Sequence, residues 1–327
     1  MTSYDEEIKA QRVWRFKPQM GNYAGFDELI EGEFIAPSKQ SACVDQRVRD
    51  LIGFCARQVP FYHKQWRDLD INPQTVGGLA DLPLLPILTK QDIQAHYNDL
   101  LSLHPPQGHE AKFKIKSTGT TGEPVTVAHS SISRSFQVLL KQRQLRWFRH
   151  DPMGLLVQIR PAQDLPRNVQ GDYLKRGEAF IGDNWPLVGK LFHTGKFIGF
   201  NDASTAKDKT ALLERYQPDY LLGQSAQLEQ LALEAKDIGF TFKLKAIEAI
   251  SQQMTPDMTR VVESIFQAPV YMNYGLNEVG IVAARCPEGN QYHVHSENCI
   301  AEIVDQDGIT CKPGESGRLL VTAFGNL

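Results

Sequence analysis

A run of hydroxyl and glycine residues between Lys116 and Pro124 carries the clearest chemistry in this sequence. Glycine has no Cβ, so it lets the backbone turn with positive φ or approach a ligand closely. The hydroxyls add hydrogen-bond donors, and successive backbone N–H groups in such a turn form a concave anion site. The pattern predicts a loop that holds phosphate groups. Its candidate ligands are Ser117, Thr118, Gly119, Thr120, Thr121 and Gly122.

The residues on each side of this loop predict two strands. Lys112–Ile115 alternates charged and apolar side chains, and Val125–Ala128 is rich in β-branched residues. The loop does not have the Walker pattern, because neither Lys-Ser nor Lys-Thr follows its second glycine. An ordinary hairpin loop rich in Ser, Thr and Gly is the alternative that these residues alone leave open.

The composition of the whole chain limits its partners and its location. The chain has 327 residues and a formal net charge of -3, which predicts one large domain or two packed domains. It has no run of Lys and Arg, so nucleic acid is not expected as a partner. It has no apolar leader and no apolar run of about 18 residues, so no membrane association is expected. Five cysteines without C-x-x-C spacing fit reduced thiols and a cytoplasmic protein.

Residues 1–110 are predicted to be a helical N-terminal part. Apolar residues recur at helical spacing in Ser41–Val59, and Pro60 ends that helix. Further along, Thr89-Lys90-Gln91-Asp92 fits a capping box that opens a second helix at Lys90.

Residues 111–285 alternate between strand and helix patterns and are predicted to form an α/β core. Such alternation implies right-handed βαβ units and a mainly parallel sheet, with ligands bound beyond the carboxyl ends of its strands. The predicted helices are Ser131–Phe148, Ser204–Tyr216, one capped by Ser225 and one opened by Thr255-Pro256-Asp257. The predicted strands are Met153–Ile159, Asp219–Leu222, Ala246–Ser251 and Val270–Met272.

The last of these strands leads into a second candidate site, Asn273-Tyr274-Gly275-Leu276-Asn277-Glu278. We predict these six residues to be a turn at the carboxyl end of the sheet, although a Tyr-Gly turn is also common in ordinary loops. Short strand patterns punctuated by Asp307-Gly308 and Pro313-Gly314 follow. They predict that residues 286–327 form part of an antiparallel, barrel-like β subdomain.

Taken together, these motifs resemble those of the AMP-forming adenylating enzymes. The resemblance rests on Ser117–Pro124, on Asn273–Glu278 and on the run Gly314–Thr322. The runs Ala56–Tyr62 and Leu82–Lys90 are similar to the helical entry of the phenylacetate–CoA ligase and CapK-like group. The fold implied is the N-terminal core of an adenylate-forming ligase, an α/β fold with a mainly parallel sheet flanked by helices, a helical N-terminal part and a partial C-terminal β-barrel-like subdomain.

The resemblance implies a two-step reaction. A carboxylate attacks the α-phosphate of ATP to give an acyl-adenylate and pyrophosphate, and CoA or another thiol then accepts the acyl group. By the family pattern, Thr118 and Glu278 are catalytic, and Glu278 is also the ligand of Mg²⁺, a cation that prefers hard oxygen. The ring of Tyr274 would lie against adenine and Asn273 near the base edge. Gly275 and Asn277 belong to the same nucleotide-binding stretch.

The sequence departs from the family pattern in several places. Glu123 stands where many members have Lys, and Asn277 where Thr or Ser is usual. The glycine-containing segment that usually lines the adenine pocket reads Ser251-Gln252-Gln253, so Gln252 is a candidate contact for the acyl group instead. The family continues to a ribose-binding aspartate and a lid domain with a catalytic lysine. These 327 residues have no counterpart of them, so we expect a ligase core without its lid, either a fragment or a natural truncation.

Three interpretations follow. The leading one is an enzyme core that activates a small carboxylate, aromatic by the resemblance. The others are a catalytically silent homologue that binds a nucleotide or a partner, and an acyl-protein synthetase. The sequence leaves open the identity of the carboxylate, the thiol acceptor and the oligomeric state, a homodimer included.

Overall fold

The computed structural model describes residues 14–17, 29–30, 32–116, 123–236 and 240–325. The predicted phosphate ligands Ser117–Gly122 therefore lie outside the described residues. The chain divides into two compact units. The first has Lys141–Asn273 as its main segment and includes Arg285–Gln291, and the second is made of segments within 24–140, 274–284 and 292–327. The predicted division into 1–110, 111–285 and 286–327 stays a prediction.

The main elements of the described chain are as follows. The longer helices are α1 (Pro37–Gln58), α2 (Pro60–Asp68), α3 (Lys90–Ala95), α4 (Ser131–Trp147), α5 (Ala206–Tyr216), α6 (Ser225–Ala235) and α7 (Pro256–Phe266). The strands are β1 (Phe113–Lys116), β2 (Thr126–His129), β3 (Leu156–Arg160), β4 (Ala179–Gly182), β5 (Phe197–Asn201), β6 (Tyr220–Gln224), β7 (Ala246–Ile250), β8 (Val270–Leu276), β9 (Gly280–Arg285), β10 (Tyr292–Val294), β11 (Cys299–Val304) and β12 (Arg318–Ala323). Within these ranges, no helix is long and apolar enough to cross a membrane.

The first unit is organised around a mixed sheet whose strands run in the order β4-β5-β3-β6-β7-β8. Neighbours from β5 to β8 are parallel, and β4 at the edge is antiparallel to β5. Helices α5, α6 and α7 connect successive parallel strands, and their buried residues Leu213, Leu228 and Val262 pack with Leu221 and Ile247 of the sheet. The predicted mainly parallel sheet with flanking helices is confirmed.

The helix boundaries of the first unit follow local capping chemistry, with one exception. The hydroxyl of Thr255 accepts a hydrogen bond from the backbone N–H of Met258, and Pro256 takes the first helical position, as predicted. Ser225 was predicted to cap α6, and this is wrong: it is the first residue of the helix, is fully buried, and donates its hydroxyl proton to the carbonyl of Gln252 at 2.7 Å.

The second unit begins with a helical layer. The stripe of α1 predicted from its apolar spacing is buried, and it packs with Val59, Trp66 and Ile300. The predicted capping box of α3 is confirmed, because Thr89 accepts a hydrogen bond from the N–H of Asp92 and the Asp92 carboxylate accepts one from the N–H of Thr89.

Two antiparallel hairpins follow in the second unit. Strands β1 and β2 pair from Phe113↔His129 to Lys116↔Thr126, which confirms the two strands predicted around the phosphate-loop candidate. Strands β11 and β12 pair from Cys299↔Ala323 to Val304↔Arg318.

Candidate functional site

The motif Asn273–Glu278 lies at the carboxyl end of β8. The strand continues to Leu276, so the prediction of a turn starting at Asn273 is wrong. The strand is longer because it forms a hairpin with β9, in which a side chain at Gly275 would come within 3.0 Å of the carbonyl oxygen of Gly280. Only Asn277, Glu278 and Val279 make the turn.

Glu278 is the carboxylate of this turn, and its side chain is half-buried. No cluster of three or more His, Cys, Asp or Glu residues that could hold a metal ion occurs in the described part of the chain. A single carboxylate nevertheless fits Mg²⁺, which usually keeps several waters and binds through one or two carboxylates together with substrate phosphates. The donor set is therefore suited to a cation that arrives with a nucleotide rather than to an all-protein metal site.

His129, the last residue of β2, holds the first residue of this turn. Its side chain is buried, and its Nε2 lies 2.7 Å from the carbonyl oxygen of Asn277. A carbonyl oxygen can only accept, so Nε2 carries the proton and donates it. This last residue of β2 thus binds the backbone of the turn.

A buried amide cluster binds the other side of the turn. The Oε1 atom of Gln137 accepts a hydrogen bond from the N–H of Ile281 at 2.6 Å, and its Nε2 donates to the carbonyl of Val279 at 3.2 Å. The same Nε2 lies 3.2 Å from Oδ1 of Asn298, whose Nδ2 donates to the carbonyl of Ile281 at 2.9 Å. Gly280 has φ +85°, and a Cβ there would collide with the Gln137 amide.

The two side chains predicted to meet adenine differ in their exposure. The Tyr274 residue is 43% exposed, so its aromatic face is accessible to a flat ligand. The Oδ1 atom of Asn273 is buried and has no hydrogen-bond partner among the described residues. A buried acceptor without a partner costs about 1–3 kcal/mol, so a ligand that donates a hydrogen bond there would relieve that cost.

The chain was compared with known proteins. No protein-family model matches it. It is 24% identical over 303 residues to the phenylacetate-coenzyme A ligase of Thermus thermophilus, an alignment that covers 91% of this chain and 64% of that ligase. A crystal structure of 2-hydroxyisobutyryl-CoA ligase in complex with 2-HIB-AMP and CoA matches with a TM-score of 0.67 at 15% identity, covering 89% of this chain and 61% of that one. An open conformation of the same ligase matches with a TM-score of 0.68 at 14% identity, covering 89% and 67%.

The chain therefore has the fold of an AMP-forming adenylating enzyme. It spans less than two thirds of the length of the phenylacetate-coenzyme A ligase that it matches. Structural likeness at 14–15% identity establishes the adenylating-enzyme fold alone. The roles given to Thr118, Glu278 and the nucleotide-binding residues stay predictions.

Glu278 also lines a cavity of about 680 Å³ within the second unit. Most of its wall is apolar, from α1, the proline-rich segment 82–88 and β12, and it includes the rings of Tyr62 and Trp66. Its acidic residues are Glu278, Glu302 and Asp307, and no Lys, Arg or His is found among the described residues that line it. Burial raises the pKa of Glu302. The cavity therefore suits an apolar group, and its described lining residues offer no cation to a phosphate.

The first unit buries a charged network that was not predicted from the sequence. The Lys141 ammonium pairs with the Glu248 carboxylate and lies 3.1 Å from Oε1 of Gln144. The hydroxyl of Tyr271 lies 3.0 Å from Nε2 of His150 and 3.4 Å from Oε2 of Glu248. Burial, followed by the Glu248 carboxylate, raises the pKa of Tyr271 well above its usual range.

Some of these residues left a signal in the sequence and others did not. Glu248 is a lone charge inside the apolar strand pattern of β7, and a charge in a buried strand needs a partner. Gln137 and Asn298 left no comparable signal, because their partners are backbone groups 144 and 17 residues away.

Proposed function

We propose that this chain contains the nucleotide- and acyl-binding core of an AMP-forming acid–thiol ligase. The observation that carries this proposal is the similarity over 303 residues to a phenylacetate-coenzyme A ligase, found together with the fold of a CoA ligase. The chain spans 64% of that relative, so its activity, its ATP, Mg²⁺ and CoA, and its substrate are all part of the proposal.

The proposed reaction begins when a carboxylate oxygen of the substrate attacks the α-phosphorus of ATP. The bond from that phosphorus to the pyrophosphate oxygen breaks, which leaves an acyl-adenylate. The thiol of CoA, or another thiol, then attacks the acyl carbon as a thiolate, and AMP leaves with the electrons of the broken C–O bond. The chemistry that bound Mg²⁺ would supply is partial neutralisation of the phosphate charge.

The chain's own residues would bind and orient ATP. The backbone and hydroxyl donors of Ser117–Gly122 would surround the phosphates, with Thr118 next to the reacting phosphate. The carboxylate of Glu278 would hold the cation. The exposed ring of Tyr274 would cover one face of adenine, and the unpaired Oδ1 of Asn273 would accept a hydrogen bond from its exocyclic amine.

The substrate is proposed to be an apolar carboxylate, and an aromatic one is the first choice. The support for this is the apolar cavity that Glu278 borders, with three aromatic residues, Tyr62, Trp66 and Tyr97, and no basic residue among the described residues that line it. Pyrophosphate release across a panel of aromatic, branched and polar carboxylates tests it, and a preference for polar acids would contradict it.

Free cysteines support a reducing compartment, the cytoplasm by our inference. All five, Cys43, Cys55, Cys286, Cys299 and Cys311, are unbridged.

The role of Glu278 is tested by replacing it with Gln, which keeps the shape and removes the charge. Glu278→Gln is expected to weaken Mg²⁺-dependent ATP binding at least tenfold, measured by calorimetry with and without Mg²⁺, because a hard cation needs the carboxylate charge. Glu288→Gln, a matched change at an exposed position, should have no effect. A loss smaller than about twofold, roughly 0.4 kcal/mol, would show that Glu278 is not the ligand.

A further inference from the structure

We propose that His129 and Gln137 are positioning residues for Glu278. They bind the backbone on both sides of that carboxylate and fix the place where it meets the nucleotide. The proposal rests on the proposed function of Glu278 in Mg²⁺-dependent ATP binding.

The first contact acts on the residue before Glu278. His129 donates from Nε2 to the carbonyl of Asn277 at 2.7 Å, and that carbonyl belongs to the peptide bond that leads into Glu278. Rotation of this peptide plane, which would swing the Glu278 side chain, breaks the hydrogen bond. His129 is 3% exposed, so water cannot readily replace the lost partner.

The second contact acts on the residues after Glu278. One amide group of Gln137 binds both the carbonyl of Val279 and the N–H of Ile281. Because both of its polar atoms are used, the Gln137 side chain fixes the separation and direction of two backbone groups at once. Asn298 in turn fixes the amide of Gln137 through its Oδ1.

The backbone of the turn leaves room for the side-chain amide of Gln137. The turn between β8 and β9 is already closed by its own hydrogen bond, from the N–H of Val279 to the carbonyl of Leu276 at 3.2 Å. The additional contacts from His129 and Gln137 are therefore not needed to form a hairpin. Gly280 has a positive φ and leaves no room for a Cβ beside the Gln137 amide, so the turn could not keep this path with another residue there.

We expect the loss of either contact to weaken cation binding more than it destabilises the fold. A displacement of about 1 Å at a reacting group can cost about 100-fold in rate. We expect His129→Met and Gln137→Met, which keep much of the volume and remove the hydrogen bonds, to weaken Mg²⁺-dependent ATP binding by about tenfold each. ATP binding measured without Mg²⁺ should change less than twofold. His129→Gln places an amide donor near the former Nε2 and should restore most of the affinity.

The chain offers a matched control for Gln137→Met. Gln142 lies in the same helix, is fully buried, and has no hydrogen-bond partner among the described residues for either atom of its amide. Gln142→Met should therefore leave Mg²⁺-dependent ATP binding unchanged. The thermal midpoint of every variant is measured first, and Gln137→Met carries the test if His129→Met does not fold.

A double-mutant cycle separates this inference from the proposed function. In the Glu278→Gln background, His129→Met and Gln137→Met should cause no further loss of ATP affinity, since the group they position has been removed. If Glu278→Gln weakens binding and the two Met variants do not, the positioning role is wrong and the proposed function stands. If the Met variants weaken binding equally with and without Mg²⁺, their role is only structural and the inference is overturned. If the unaltered chain binds no ATP in the presence of Mg²⁺, both proposals fail.

Discussion

Each unit of this chain buries a polar network, but the two networks are built from different chemistry. In the first unit the central contact is the ion pair between Lys141 and Glu248, and its members bind one another through their side chains. In the second unit, the side chains of His129, Gln137 and Asn298 are bound to backbone carbonyl and N–H groups of the turn after β8 and of the first residues of β9. The first network therefore joins side chains, and the second fixes the path of the backbone.

This difference decides what can replace each network. A buried ion pair gains Coulomb energy but loses hydration, so replacing both partners by apolar residues of similar volume is often neutral or stabilising. Backbone groups cannot be removed by substitution. Loss of an amide side chain that binds them leaves a buried donor or acceptor unpaired, at about 1–3 kcal/mol. We therefore expect the first network to be replaceable and the second not.

The largest effect is expected when one member of the ion pair is removed. Glu248→Ala should lower the free energy of unfolding by about 3–5 kcal/mol, because Lys141, which is 9% exposed, is then buried without its carboxylate partner. Urea unfolding measures this loss in the free energy of unfolding.

The double variant Lys141→Met with Glu248→Leu is the control. It should recover most of the loss, because no unpaired charge remains. A double variant as unstable as Glu248→Ala would show that the ion pair itself is needed.

A smaller effect is expected from the neutral network. Asn298→Leu should lower the free energy of unfolding by about 1–3 kcal/mol, since the carbonyl of Ile281 and the amide of Gln137 each lose a partner. The second apolar substitution, Gln137→Leu, should add to this loss rather than reverse it. Recovery of stability in the Gln137→Leu and Asn298→Leu double variant would remove the distinction between the two networks.

Much of the fold could be predicted because it depends on neighbours in the sequence. The capping box of α3 joins two residues three positions apart, the cap and the proline that start α7 are equally local, and the stripe of α1 follows from helical spacing alone. The order of strands and helices then determines the parallel sheet, because βαβ units have a fixed hand.

The predictions that were wrong depend on distant partners. Ser225 has the side chain of a helix cap, but the carbonyl of Gln252, 27 residues away, takes its hydroxyl proton. The residue types of Asn273–Leu276 favour a turn, but pairing with β9 makes these residues part of strand β8.

The candidate site could be predicted only in part, because it too depends on partners that are distant in the sequence. Its chemical groups could be identified from residue types, and Glu278 does lie on a turn that borders a cavity. The residues that hold this turn are His129 and Gln137, 148 and 142 positions away from their partners Asn277 and Val279. These residues come together only when β2 and α4 lie against the hairpin of β8 and β9. No local sequence pattern encodes that arrangement.

The smallest effect is expected at Ser251, the residue that follows β7, the strand that carries Glu248. Ser251 has φ +69°, in the left-handed region, which costs a residue with a Cβ about 1–2 kcal/mol. Glycine removes that cost but raises the entropy of the unfolded chain, which offsets about 0.5–1 kcal/mol. Ser251→Gly should thus raise the free energy of unfolding by up to about 1.5 kcal/mol, measured by urea unfolding, while Ser251→Ala keeps the Cβ and should bring no gain.

The same substitution tests whether the charged network leaves the backbone unaffected. If Lys141 and Glu248 bind only side chains, the backbone of Ser251 keeps its torsion angle when they are replaced. Ser251→Gly should then bring the same gain in the Lys141→Met and Glu248→Leu background as in the unaltered chain, within about 0.3–0.5 kcal/mol. A gain that disappears in that background would mean that the ion pair imposes the left-handed conformation at the end of β7. In that case both networks would fix the path of the backbone, and the difference between them would be one of charge alone.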